Sequence, residues 1–145
     1  DVELNFTTEA FKDFVDALEI IDDEEMRFEY IIDLGKKSTE GSFPEGLRTD
    51  QNLMEGCMSK VWITNDVRSG RAYFKGYSDA IIVRGLVVMM TASFSGLTNE
   101  ELQTVSIDQV KSLNLGALTT QRQLGMLAML EYFQKLGKQS ASITK

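Results

Sequence analysis

The sequence predicts an α+β fold, a small antiparallel sheet packed against several helices. Two observations carry this. Apolar residues at helical spacing, preceded by capping residues, recur before residue 36 and again after residue 78. Between them Met58–Thr64 and Arg71–Tyr77 read as two strands around a turn-rich stretch. Helices, then strands, then helices is an α+β order, not the alternation of a parallel sheet. The 145 residues read as one domain over 1–145, with an ordered core from about residue 7 to 137 and a frayed tail over 138–145.

Thr7 or Thr8 can cap a first helix whose Phe11, Phe14, Val15 and Leu18 share a face. Asp22 with Glu25 resembles a capping box and opens a second helix through Phe28, Tyr30, Ile31 and Leu34, stopping at Gly35. Lys36 to Glu55, with Ser38, Gly41, Ser42, Pro44 and Gly46, reads as a long surface loop, of a length that is often functional. The two strands pair as a hairpin across 65–70, with Trp62 and Phe74 or Tyr73 on packed faces. Ser78 or Asp79 caps an apolar helix from Ala80 to Phe94 that ends at Gly96; apolar almost all round, it is the central buried helix. Thr98 with Glu101 forms another capping box, and Asp108 to Leu113 a short helical turn. Thr119 or Thr120 caps a last helix, carrying Leu124, Leu127, Ala128, Leu130 and Phe133, before Gly137.

Composition narrows function. With 43% hydrophobic and 26% charged residues the chain has ordinary globular content. Its longest apolar run, Ala80 to Ala92, is interrupted by Arg84 and falls short of a membrane span of about 20 residues. A net charge of -7 argues against a nucleic-acid surface, which wants a basic patch. The acids of Asp22-Asp23-Glu24-Glu25, with Glu3, Glu9, Asp13, Asp16 and Glu19, read as a solvated helical face; an acidic docking surface is the sharper alternative. The first residue is Asp1, so a trimmed leader is part of the expectation: cytoplasmic without one, plastid or mitochondrial with one.

Cys57 is the one cysteine and histidine is absent. That excludes a Cys–His dyad, a C-x-x-C redox pair, an internal disulfide and a self-contained thiolate metal site, and it points to a reducing compartment. What remains is a thiolate tuned by backbone N–H groups, by Arg or Lys, or by burial. With a pKa of about 8.5 it suits exchange with another sulfur atom. Two readings stand on the residues alone. A lone cysteine commonly packs as a small inert hydrophobe. Here Gly56 precedes it, a long loop precedes that, and polar Glu55, Ser59 and Lys60 surround it.

Asn52-Leu53-Met54-Glu55-Gly56-Cys57-Met58-Ser59-Lys60-Val61-Trp62 resembles the signature of the SufE family, sulfur-acceptor partners of cysteine desulfurases. Ser78-Asp79-Ala80-Ile81-Ile82-Val83-Arg84-Gly85 is similar to the family's Ser-Asp-Ala-x-Ile-Val-Lys/Arg-Gly. Tyr30-Ile31-Ile32-Asp33-Leu34-Gly35, Ser95-Gly96-Leu97-Thr98 and Leu118-Thr119-Thr120-Gln121-Arg122-Gln123-Leu124-Gly125 match in order, so the resemblance runs from about Phe11 to Phe133. Three departures stand out: Met58 for a usual Gln, Thr120-Gln121 for Pro-Ser, and Leu124 where an amide is common.

The resemblance implies a SufE/IscU-like fold. It implies that Cys57 is the catalytic acceptor, attacking the outer sulfur of a persulfide on a SufS-type cysteine desulfurase, stimulating that enzyme and passing sulfur to an iron–sulfur scaffold. Pyridoxal phosphate belongs to the desulfurase; the expectation here is no cofactor and no metal, no nucleic acid, no membrane, and a monomer or weak dimer. Glu55, Gly56, Ser59 and Arg122 are supporting or docking candidates. Arg122 as a cation near the thiolate is matched by its plain reading as an exposed residue of a first helical turn, while Asp79 reads as a cap and Trp62 as core. Two competing functions are a non-catalytic module that activates a desulfurase and a single-cysteine redox sensor. A Cys57→Ser variant separates the first reading from the activating module.

Overall fold

The computed structural model describes residues 8–37, 43–54, 59–113 and 120–143. Helix α1, Glu9–Ile20, starts where the sequence places it. The Thr8 hydroxyl accepts from the Phe11 N–H at 3.1 Å and donates to the Ser93 carbonyl at 2.6 Å, so the cap also ties α1 to a distant helix end. Helix α2 spans Glu24–Lys37, and its cap is Asp23, whose Oδ1 accepts from the Glu25 N–H at 2.8 Å; the expected Asp22 is one residue early. Burial, and then the Asp13 carboxylate, raise the Tyr30 phenol on α2 above its ordinary value.

Gly35 does not stop α2. It lies two residues inside the helix, buried against α3, Ile81–Phe94. A Cβ on Gly35 would sit 2.6 Å from the Ile81 carbonyl oxygen, and one on Gly85 would sit 1.9 Å from that of Ile31. The two helices therefore cross backbone to backbone, a contact that only glycine permits. Ten residues of α3 are buried, as a central helix requires.

Four strands form one antiparallel sheet in the order β1 (Leu53–Met54), β2 (Val61–Arg68), β3 (Arg71–Ser78) and β4 (Leu97–Thr98). The hairpin is tighter than expected. Asn65, Asp66, Val67 and Arg68 pair with Phe74, Tyr73, Ala72 and Arg71, leaving only Ser69 and Gly70 as the turn. Both take positive φ, 55° and 76°, as a two-residue hairpin turn demands. Polar residues made 65–68 look like a turn; they are a strand because alternate side chains face the open side of the sheet, where Arg68 pairs with Asp66 at 3.2 Å and covers the Tyr73 ring at 4.1 Å.

The other face packs on helices. Val61, Ile63, Ala72 and Phe74 are buried there, and Phe74 stacks on Phe133 with ring centroids 4.4 Å apart. Gly96, at φ 86°, turns the chain out of α3 into β4. The Thr98–Glu101 capping box opens α4, Asn99–Gln103, with both bonds made at 3.0 and 3.1 Å. A second box, Ser106 with Gln109, opens α5, Ile107–Lys111. Helix α6, Thr120–Ile143, runs through Gly137 and through most of the expected frayed tail. Gly137 faces α4, where a Cβ would meet Leu102 Cδ2 at 2.9 Å, and Gln134 donates to the Leu102 and Val105 carbonyls nearby. The mixed architecture is the expected α+β one.

Candidate functional site

Strands β1 and β2 pair Leu53 with Trp62 and Met54 with Val61. The chain between Met54 and Val61 carries the cysteine. Glu55, Gly56, Cys57 and Met58 lie outside the described residues. The anchors are described, and they are firm. Ser59 is half-buried. Lys60 is held by its carbonyl, which accepts from the Ser78 hydroxyl at 2.7 Å. That same buried hydroxyl accepts from the Ala80 N–H at 3.3 Å, so Ser78 couples the exit of the connection to the start of α3. Ser78 thus acts at the head of this helix, but on Ala80, and the exposed Asp79 supplies only its carbonyl.

Cross-strand partners share a face, so Leu53, Trp62 and Tyr77 form one rung on the side of the sheet away from the helices. Left bare, this rung would expose an indole and a phenol. Of the segment expected to be a long surface loop, residues 38–42 and 55 lie outside the described residues, and residues 43–54 cover the rung. Phe43 is 1% exposed and stacks on Tyr77 at 6.2 Å and 12°, making with Trp62 a second, small core. After Phe43 come single-turn 3-10 helices at Glu45–Leu47 and Asp50–Asn52, pinned by the Asn52 amide donating to the Leu47 carbonyl at 2.8 Å. The entry to the cysteine connection is therefore built on a packed aromatic cluster. Arg48 from this segment and Arg84 from α3 both lie over Tyr77, at 3.9 and 4.2 Å from its ring centroid. Arg84 Nε donates to the Ser78 carbonyl at 2.8 Å.

Of the candidates, Ser59 stands at this sheet end. Arg122 stands in the first turn of α6, half-buried and engaged in a contact of its own. Leu124, the departure from an amide, is 58% exposed. Sequence reasoning missed Phe43, Arg48, Tyr77 and Arg84 as one cluster at this sheet end. The signals were a lone aromatic before Pro44 in a polar stretch and a single charge inside the most apolar helix.

Elsewhere a shallow hollow of about 210 Å³ is lined by Phe11, Lys12, Val15, Asp16 and Ser112, on elements separate from this sheet end. Among the described residues no three acidic or thiol side chains gather as a metal-ligand set. No described helix is long and apolar enough to cross a membrane.

The SufE family model, described as an Fe-S metabolism associated domain, matches residues 12–137. An uncharacterised SufE-like protein of Rhizobium meliloti is 37% identical over 122 residues, covering 80% of this chain and 86% of its own. One of Rhizobium etli is 33% identical over 135 residues, covering 88% and 89%, and one of Synechocystis 33% over 113, covering 77% and 70%. The matched region takes in the strands, the cysteine connection between them and the helix that anchors it: the chain belongs to the SufE family, a family of iron–sulfur metabolism.

Proposed function

We propose that this chain is a sulfur acceptor in iron–sulfur cluster assembly, with Cys57 as the group that reacts. The observation that carries the reading is the placement of the one thiol in a family-matched connection between paired strands, whose exit is anchored by the buried Ser78. In the reaction the Cys57 thiolate attacks the outer sulfur of a persulfide on a SufS-type cysteine desulfurase. A new bond forms between Cys57 Sγ and that sulfur as the donor's S–S bond breaks, releasing the donor cysteine as thiolate. The proton lost by Cys57 passes to the donor side, and no net oxidation occurs. The persulfide then serves an iron–sulfur scaffold by a second exchange of the same kind. Pyridoxal phosphate acts on the donor, upstream of this chain.

Short connections anchored by pairing at both ends suit such an exchange, because the thiol must reach a foreign sulfur while the rest of the fold stays fixed. Gly56, lacking a side chain, gives an approaching protein access beside the thiol. Glu55, Ser59 and Arg122 are assigned to the rim that receives the donor. The soluble compartment that holds the desulfurase, the cytoplasm in the simplest case, is the assigned setting.

Intact mass after incubation with a cysteine desulfurase, its cofactor and cysteine tests this. The expected result is a gain of about 32 Da per sulfur, reversed by reductant and absent in Cys57→Ser. No gain, with docking demonstrated and the desulfurase active, would replace sulfur acceptance by an activating role.

A further inference from the structure

Strand β3 stops one residue short of completing its ladder with β2, and a side chain fills the gap. The Ala72 carbonyl accepts from the Gly96 N–H at 2.7 Å, and the Phe74 N–H donates to Ser95 Oγ at 2.8 Å, so the backbone groups of these two residues point away from β2. Hydrogen-bonding direction alternates along an antiparallel strand. Arg71, Tyr73, Lys75 and Tyr77 therefore turn their backbone groups toward β2, onto Arg68, Asp66, Thr64 and Trp62. The next pair in this series would be Lys60 with Asp79. It is not made, because β3 ends at Ser78 and the chain bends at residues 79–80 into α3.

The Lys60 carbonyl thus lacks its ladder donor, and the Ser78 hydroxyl takes that place at 2.7 Å. Ser78 is 0% exposed, and its oxygen also accepts from the Ala80 N–H at 3.3 Å. One hydroxyl uses its proton on the chain entering β2 and its lone pair on the chain entering α3. From within α3, Arg84 Nε holds the Ser78 carbonyl at 2.8 Å. Capping the helix accounts for the bond to Ala80 and leaves the shorter one, to Lys60, unexplained. Lys60 is the third residue after Cys57 in the sequence, as Met54, paired with Val61, is the third before it.

We propose that Ser78 is a positioning residue for sulfur transfer: by fixing Lys60, its hydroxyl fixes the exit of the cysteine connection and so the position from which Cys57 meets a donor persulfide. This deepens the sulfur-acceptor reading and rests on it for the reaction. Ser78 acts through Lys60 and the intervening chain, not on the sulfur. Such a hold matters because a misplacement of about 1 Å between reacting atoms can slow a reaction about a hundredfold.

Two measurements on Ser78→Ala test this, one of which needs no partner. The first is the rate at which iodoacetamide alkylates Cys57 in the chain alone. A small reagent takes the thiol in any position, so freeing the exit should raise this rate several-fold at every pH. The second is sulfur transfer from a SufS-type desulfurase, which needs one geometry; its maximal rate should fall roughly tenfold with KM unchanged. Ser78→Thr, which keeps the hydroxyl, should restore both. Ser95→Ala is the structural control. It removes a hydroxyl bonded to Phe74 on the other edge of β3, and should lower the urea midpoint without moving either rate. Arg84→Gln, at a half-buried site, releases the Ser78 carbonyl and should raise alkylation by a smaller factor, which decides the matter if Ser78→Ala does not fold. Parental alkylation in folded Ser78→Ala overturns the positioning role, as does an equal change in Ser95→Ala or a Ser78→Thr no better than Ser78→Ala. Faster alkylation with parental transfer overturns it too, since the exit then moves without consequence for the reaction. No sulfur on the unaltered chain sinks the sulfur-acceptor reading, while the alkylation series still reads the hold of Ser78 on the thiol.

Discussion

Adding one carbon at Gly85 should be among the most damaging small changes this protein can suffer. Its Cβ would lie 1.9 Å from the Ile31 carbonyl oxygen and 2.8 Å from the Ile31 carbonyl carbon and Cγ2. The nearest obstacle is backbone inside α2, so no rotamer change relieves it. Restoring an ordinary contact of about 3.4 Å requires α2 and α3 to part by about 1.5 Å at their crossing, enough to forfeit much of the dispersion along that seam. Overpacking typically costs 1–3 kcal/mol, occasionally more, and a clash with fixed backbone belongs at the upper end. Alanine's better helix propensity returns about 1 kcal/mol. The net expectation for Gly85→Ala is a loss of about 2 kcal/mol, which for a chain of this size lowers Tm by about 7 °C. Urea unfolding should show a lower midpoint at unchanged m. Gly46→Ala is the control: nothing lies within 4 Å of its added Cβ, so its midpoint should hold or rise slightly. Gly85→Ala within about 0.5 kcal/mol of the parent would refute the close helix crossing.

Phe43→Ala should cost about 3 kcal/mol, because a ring 1% exposed is removed from a small cluster that can collapse only partly. It should also shift the emission of Trp62, the one tryptophan, to the red, and an unmoved spectrum would mean that this segment does not cover the sheet. Tyr30 tests the alkaline limb. Its phenol is raised above the ordinary value of about 10, by burial and then by Asp13, so the unfolded chain releases that proton first. The stability linked to it is complete below about pH 10 and is lost as pH climbs through the folded value. Tyr30→Phe should flatten the decline in urea midpoint above pH 10, and an unchanged slope would assign the decline to other groups.

Much of the architecture is legible because its causes are local. A threonine or serine three residues before the N–H it caps, as at Thr8 and Thr98, needs no distant partner to be read. The nearly all-round apolar character of Ile81–Phe94 announces burial whatever surrounds it. Asn65–Arg68 misled because polar residues on an open sheet face resemble turn residues until the partner strand is seen. The two-residue strands β1 and β4 carry no periodicity at all; pairing alone defines them. At the candidate site, the thiol and its flanking glycine stand out in the chain, whereas the aromatic cover and the arginine pair do not.

The glycines separate the two kinds of information. The sequence by itself establishes the α+β class, the family signature, the central helix and the single thiol, and it marks Gly96 as a turn that positive φ then bears out. It could not tell Gly35 and Gly137 from helix stops, since a missing side chain serves a left-handed cap and a close backbone approach equally well. Only the packing of α2 on α3 and of α6 on α4 decides which is meant. Likewise Arg48 and Arg84 are an isolated loop charge and an interruption of a buried helix until the sheet places Tyr77 between their elements. Local periodicity records what each segment wants to bury; which segments meet is set by shape and charge summed over the whole chain.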